Sequence, residues 1–218
     1  MKRALLICIL LLSLVPIPGV AQEKADTLFS IQPVPAEVRH RMAGKSYPQD
    51  CTVAWDELRY LRVMHRDAQG QSLQGELVCN RMIADDLLVI FRKLYDARYP
   101  IERITLIDEY EADDEASMRA NNTSCFCYRK VAGSQRLSAH SRGLAVDINP
   151  LYNPCVRTRA NGTQVIQPAT GKPYARRTSV VPYMIQQGDL LCQLMKQHGF
   201  QWGGMWRSVK DYQHFEKQ

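Results

Sequence analysis

Two short segments, far apart in the chain, carry the residues that most restrict its fold. Residues 137–148 read LSAHSRGLAVDI, and residues 211–216, close to the end, read DYQHFE. His140, Asp147 and His214 are two imidazoles and one carboxylate, the donor set with which catalytic zinc sites hold their ion while keeping a fourth position for water. Asp211 adds a carboxylate of the kind a general base requires. A fold that uses these four groups together must return the closing segment to the strand that carries Asp147.

The local pattern supports such a strand. From Gly143 to Asn149, Leu144, Val146 and Ile148 alternate with Ala145, Asp147 and Asn149, so one face is core and the other carries the carboxylate. Gly143 lets the backbone bend so that His140 and Asp147 reach one point. Asp211 and His214 are separated by an odd offset, and on a regular strand they would point to opposite faces. A turn or bulge is therefore expected between them, delivered by the Gly203-Gly204 turn upstream.

Elsewhere the elements are ordinary. Leu58–His65 and Ser72–Val78 flank DAQGQ, which predicts a hairpin with Gly70 in the turn. Asn80 is placed to cap a helix whose apolar face is Ile83, Leu87, Ile90, Phe91 and Leu94, ending before Pro100. Ile101, Ile104 and Leu106 suggest a strand. The run Asp113-Asp114-Glu115 reads as a solvated helix start. Residues 188–198 predict a short helix closed by Gly199, with Leu191, Leu194 and Met195 inward. Strands and helices mix without regular alternation, which predicts an α+β fold: a single domain of mainly antiparallel sheet flanked by helices.

The N-terminus bears on compartment. Lys2 and Arg3 precede an apolar run from Ala4 to about Val15, and then Gly19-Val20-Ala21. This is the pattern of a secretory signal peptide over residues 1–21. The run is too short to span a bilayer and is broken by Pro16 and Pro18, so no stable membrane insertion is expected after cleavage. Residues 22–50, with Pro33, Pro35 and Pro48 and no clear periodicity, read as an extended arm, leaving 51–218 as the functional domain. The formal charge of +6 falls to +4 without Lys2 and Arg3, a mild excess that suits an anionic polymer. No basic block interleaves with aromatics, so nucleic acid is not an expected partner. Six cysteines remain after cleavage, Cys51, Cys79, Cys125, Cys127, Cys155 and Cys192, an even count that favours disulfides in an exported chain.

S-x-H-x-x-G-x-A-x-D followed by D-x-x-H-F resembles the VanY-like zinc peptidases of the hedgehog/D-alanyl-D-alanine peptidase fold. That family includes D-alanyl-D-alanine carboxypeptidases and L-alanyl-D-glutamate endopeptidases. Further stretches carry the likeness from about residue 57 to 217: LRYLRV (58–63), IDEYEADDEASM (107–118), NNTSCFCYR (121–129), DINPLYNP (147–154) and WGGMW (202–206). The resemblance implies a secreted or periplasmic, monomeric zinc metallopeptidase acting on peptidoglycan stem peptides. It implies Zn2+ on His140, Asp147 and His214, with Asp211 as general base and Arg129 facing the oxyanion as a fixed charge. Ser138 is expected to bind substrate or orient His140, Asn149 to support the ligands, and Trp202 and Trp206 to wall the cleft. The D-x-x-H ending is similar to the endopeptidase branch. Met205 stands where an acidic residue is expected in many relatives, which points to a different substrate preference. The resemblance also implies that Cys125 or Cys127 pairs with Cys155, because loops on both sides of the zinc strand converge in that fold. Two other readings compete: a non-catalytic zinc-containing wall-binding module, and a disulfide-stabilised wall-binding protein without metal. Neither has a use for both Asp211 and Arg129. His40, His65 and His198 lack any such context and read as structural or solvated.

Overall fold

The computed structural model describes residues 28–131, 134–178 and 180–218; the expected signal peptide lies outside them. The chain begins with β1 (Ser30–Pro33), α1 (Ala36–Met42) and the hairpin β2 (Leu58–Arg66) and β3 (Ser72–Asn80), followed by α2 (Arg81–Asp96). Residues 30–42 are thus regular, not the extended arm that the prolines suggest. Val38 and Met42 fall on one face of the helix and, with Val34 just before it, are buried with Leu58, Val78, Leu106 and Phe126. Pro35 stands just before the first helical turn, where a missing N–H removes no intrahelical bond. β1 adds to the hairpin's edge, with Ile31 opposite Leu61.

Helix α2 forms as its pattern requires. The Asn80 side chain accepts a hydrogen bond from the Met82 N–H at 3.0 Å, a cap worth about 1 kcal/mol. Ile83, Leu87, Ile90, Phe91 and Leu94 are all buried, each contributing roughly 1.5–3 kcal/mol by leaving water. Beyond it come β4 (Arg103–Ile104), α3 (Asp114–Arg119) and β5 (Asn122–Thr123). The strand expected from Ile101 to Leu106 is only two residues long, because Leu106 opens a 3-10 turn over Ile107–Tyr110.

The remaining elements build the site. They are β6 (Ala145–Asp147), β7 (Cys155–Thr158), β8 (Gln164–Gln167), α4 (Leu190–Gln197), β9 (Gln201–Trp202), β10 (Val209–Asp211) and β11 (His214–Glu216). Three-stranded antiparallel sheets run β1-β2-β3, β10-β7-β8 and β6-β11-β9, and β4 pairs with β5 in parallel. The architecture is α+β, with its antiparallel strands divided among small sheets. The main core joins the β1-β2-β3 and β6-β11-β9 sheets with two helices: Leu61, Leu77, Phe91, Val146, Ile148, Leu191 and Phe215 belong to a single buried cluster. Among the described residues no helix is long and apolar enough to cross a membrane.

The last two strands belong to different sheets, which answers the odd offset between Asp211 and His214. β10 pairs with β7, and β11 pairs with β6. The chain switches sheets at Tyr212-Gln213, where the Gln213 carbonyl accepts from the Ile148 N–H at 3.0 Å. Gly203 makes the switch possible. A Cβ there would lie 2.7 Å from the Asp211 carbonyl oxygen and 2.9 Å from its Cβ.

Candidate metal centre

His140 sits in a 3-10 turn, Ala139–Arg142, whose first residue is preceded by Ser138 as a cap. The Ser138 hydroxyl accepts from the His140 N–H at 3.3 Å. Ser138 therefore shapes the turn that presents His140; it also lines the cleft. Gly143 ends the turn at φ +67, and a Cβ there would come within 2.6 Å of the Asn80 nitrogen. The backbone then enters β6, which presents Asp147. Both faces of β6 are buried, the carboxylate of Asp147 lying against His140 and His214. His214 stands opposite Asp147 in the β11–β6 register.

The three side chains meet. His140 Nε2 lies 3.2 Å from Asp147 Oδ2 and 3.2 Å from His214 Nδ1, and His214 Nδ1 lies 3.0 Å from Asp147 Oδ1. Their donor atoms all fall within 4.8 Å of one another, and all three residues are buried. Outer contacts fix which nitrogens face inward. His140 Nδ1 is 2.6 Å from the Cys125 carbonyl oxygen, so it carries the proton and leaves Nε2 a lone pair. His214 Nε2 is 3.2 Å from Glu216 Oε2, which assigns the proton in the same way and turns the Nδ1 lone pair inward.

Two lone pairs and a carboxylate facing one another demand positive charge between them. Donors about 2.0–2.1 Å from a tetrahedral ion lie about 3.3 Å apart, close to the separations seen. The donor set therefore could hold a metal ion. Burial lowers the His214 imidazole, but the Asp147 and Glu216 carboxylates outweigh it and push it up to about 10, the sign of a site that favours positive charge. Asp147 is held far below the usual carboxylate range, the two imidazoles outweighing burial.

A cleft of about 720 Å3 opens onto this cluster and is also lined by Asp211 and Arg129. Asp211 Oδ1 is buried with no hydrogen-bond partner among the described residues. Burial, with Asp147 nearby, pushes the Asp211 carboxyl up to about 6 despite opposition from His214 and Cys155. Arg129 donates from one terminal nitrogen to Asp114, 2.9 Å from Oδ1 and 2.8 Å from Oδ2, while its buried Nε has no partner. Asp114 is thus more than a solvated helix start: it holds the guanidinium at the cleft.

Other expectations divide. Trp206 lines the cleft, its ring centroid 5.2 Å from that of His214. Trp202 instead packs on the core and stacks on Phe215. Met205 is exposed. Asn149 ties the end of β6 to the chain at Pro100 and Glu102, accepting from the Glu102 N–H and donating to the Pro100 carbonyl. His40 is solvated, His65 is buried against the Ile101 carbonyl, and His198 pairs with Asp86.

The expected disulfide is absent. All six described cysteines are free. Cys125 lies against Cys79, and Cys155 lies against Asp211. Cys125 is drawn to β3 because the next residue, Phe126, donates its N–H to the Val78 carbonyl. Glu216, Asp114 and Cys155 are the site residues that sequence reasoning missed. Only Glu216 had a local signal, since two residues past His214 on a strand is the same face.

A mixed α+β fold with a buried His-Asp-His cluster, a burial-raised carboxylate and an arginine on one cleft has the parts of a hydrolytic metal centre. A family model described as D-alanyl-D-alanine carboxypeptidase matches residues 132–217, and over that segment the chain is similar to that family, which supports a peptidase. The match takes in His140, Asp147, Asp211 and His214, and begins later than the motif likeness and just after Arg129. Neither a curated protein nor a solved structure matches the chain.

Proposed function

We propose that this protein is a secreted or periplasmic zinc metallopeptidase, of the hedgehog/D-alanyl-D-alanine peptidase architecture, that hydrolyses peptide bonds in peptidoglycan stem peptides. The observation that carries the proposal is the unpartnered, buried Asp211 Oδ1 beside the His140-Asp147-His214 cluster. A buried carboxylate oxygen left without a partner costs stability, which a binding module has no reason to bear.

His140, Asp147 and His214 hold the ion, Cys125 and Glu216 orienting the two imidazoles. Zinc, when bound, supplies Lewis acidity to the scissile carbonyl and the attacking water. Asp211 takes the proton from that water and returns it to the leaving amine; a carboxyl raised toward neutral pH is suited to both acts. Arg129, kept in place by Asp114, offers its remaining N–H groups to the oxygen on which charge develops. Trp206 forms an apolar wall beside His214.

The test is metal analysis of the purified protein together with digestion of purified stem peptides, products resolved by mass. About one zinc per chain and a single cleaved bond type are expected, L-alanyl-D-glutamate or D-alanyl-D-alanine. Stoichiometric zinc with no cleavage of any stem peptide would leave a wall-binding module and refute the enzyme.

A further inference from the structure

The Asp211 carboxylate is placed by a strand register, and the residue opposite it is a cysteine. β10 pairs with β7 so that Asp211 faces Cys155 directly, and residues directly opposite in antiparallel strands put their side chains on the same face. That register brings the thiol beside the carboxylate, and both line the cleft. Asp211 Oδ1, by contrast, has no partner among the described residues. An ionised carboxylate accepts only, through two oxygens, so Oδ1 is left open for chemistry while the other oxygen is free to take a donor from the facing residue.

We propose that Cys155 is the positioning residue of Asp211: its S–H donates to the carboxylate, fixes the rotation of the group, and leaves Oδ1 aimed into the cleft. The inference rests on the peptidase reading and adds to it a residue outside the motif set. A thiol suits the task because it is a weak donor. An ammonium at this position would hold the carboxylate's lone pairs more tightly and make a poorer base, whereas a hydroxyl would orient the group much as the thiol does.

The alternative roles of a cleft cysteine are disfavoured by its surroundings. Burial and the adjacent Asp211 carboxylate push the thiol well above its usual range. A thiol so raised stays protonated at any working pH; it is a poor nucleophile and resists oxidation, but it is always able to donate. Among the described residues it is a free cysteine, and Cys125 adjoins Cys79 instead.

Three variants test this. Cys155→Val fills similar space without a donor, Cys155→Ala removes the donor with a smaller group, and Cys155→Ser restores a donor. Steady-state hydrolysis of stem peptides, zinc stoichiometry and melting temperature are measured for each. The Val and Ala variants should fall roughly 5–30-fold in kcat, the order expected for a misoriented reacting group. Their KM and zinc content should stay unchanged, and the Ser variant should recover most of the rate. An active parent with Val and Ala variants within twofold of its kcat overturns the inference alone. So does a change confined to KM, a loss of zinc, or a Ser variant as slow as Val. A parent that cleaves no stem peptide removes the peptidase reading, and this inference with it.

Discussion

Replacing Asp211 with asparagine separates two properties that the structure assigns to one side chain. The carboxyl is pushed up to about 6, burial being the largest cause, against roughly 3.9 in an unfolded chain. A raised carboxylate favours the native state when protonated. Its penalty is therefore absent below about pH 4, grows as pH rises through 6, and is complete above. Two units correspond to at most about 3 kcal/mol, and coupling to His214 and Asp147 makes roughly 1–3 kcal/mol the working range. Asparagine cannot ionise. In the presence of a chelator, Asp211→Asn should melt roughly 3–10 °C higher relative to the parent at pH 8 than the same pair differs at pH 4. Any fixed cost of the buried amide cancels in that comparison. With zinc restored the order changes in function: the variant should keep its metal while turnover falls about 10²–10⁴-fold. His214→Ala, measured alongside, should lose metal and activity together. Identical pH profiles of melting temperature for parent and Asn variant would show that Asp211 carries no burial penalty. Loss of zinc from the Asn variant would make Asp211 a ligand, not the base.

Arg129→Lys keeps the charge but not the planar fork and should lower kcat about 10–100-fold at unchanged zinc content; kinetics equal to the parent would place Arg129 outside the reaction. Glu216→Ala frees His214 Nε2 and should weaken zinc binding about 10–100-fold in competition with a chelating dye, whereas unchanged affinity would mean that Asp147 alone orients the imidazole. Gly143→Ala forces a side chain into left-handed backbone against the Asn80 nitrogen and should destabilise by several kcal/mol, read as a lower denaturant midpoint; a midpoint matching the parent would contradict the close approach of turn and helix cap.

What could be read in advance was what local chemistry decides. The α2 helix follows from Asn80 and five apolar residues at helical spacing, and the structure needs nothing distant to explain it. His140, Asp147 and His214 were visible because donor type and motif context identify a metal set without coordinates. Residues 30–42 were misjudged because Pro33 and Pro35 suggested extension, although Val34, Val38 and Met42 already held a helical spacing. Their partners, Leu106 and Phe126, lie far along the chain. The cysteine pairing failed for a related reason: an even count argues from compartment, whereas proximity is set by which strands adjoin.

The proposed base shows most clearly where such reasoning stops. Asp211 and His214 were known to need a break between them, but not that the break carries the chain from one sheet to another. That switch gives the two residues separate supports. His214 is registered by β6 against Asp147, and Asp211 by β7 against Cys155. A slip of one residue in β10 would set Val156 or Pro154 opposite Asp211 and turn the carboxylate to the other face. Such a slip would leave the metal set intact while removing the base. On the proposed reading, metal binding and proton transfer are therefore independently breakable in this fold, which is why zinc content and turnover must be measured on the same variants.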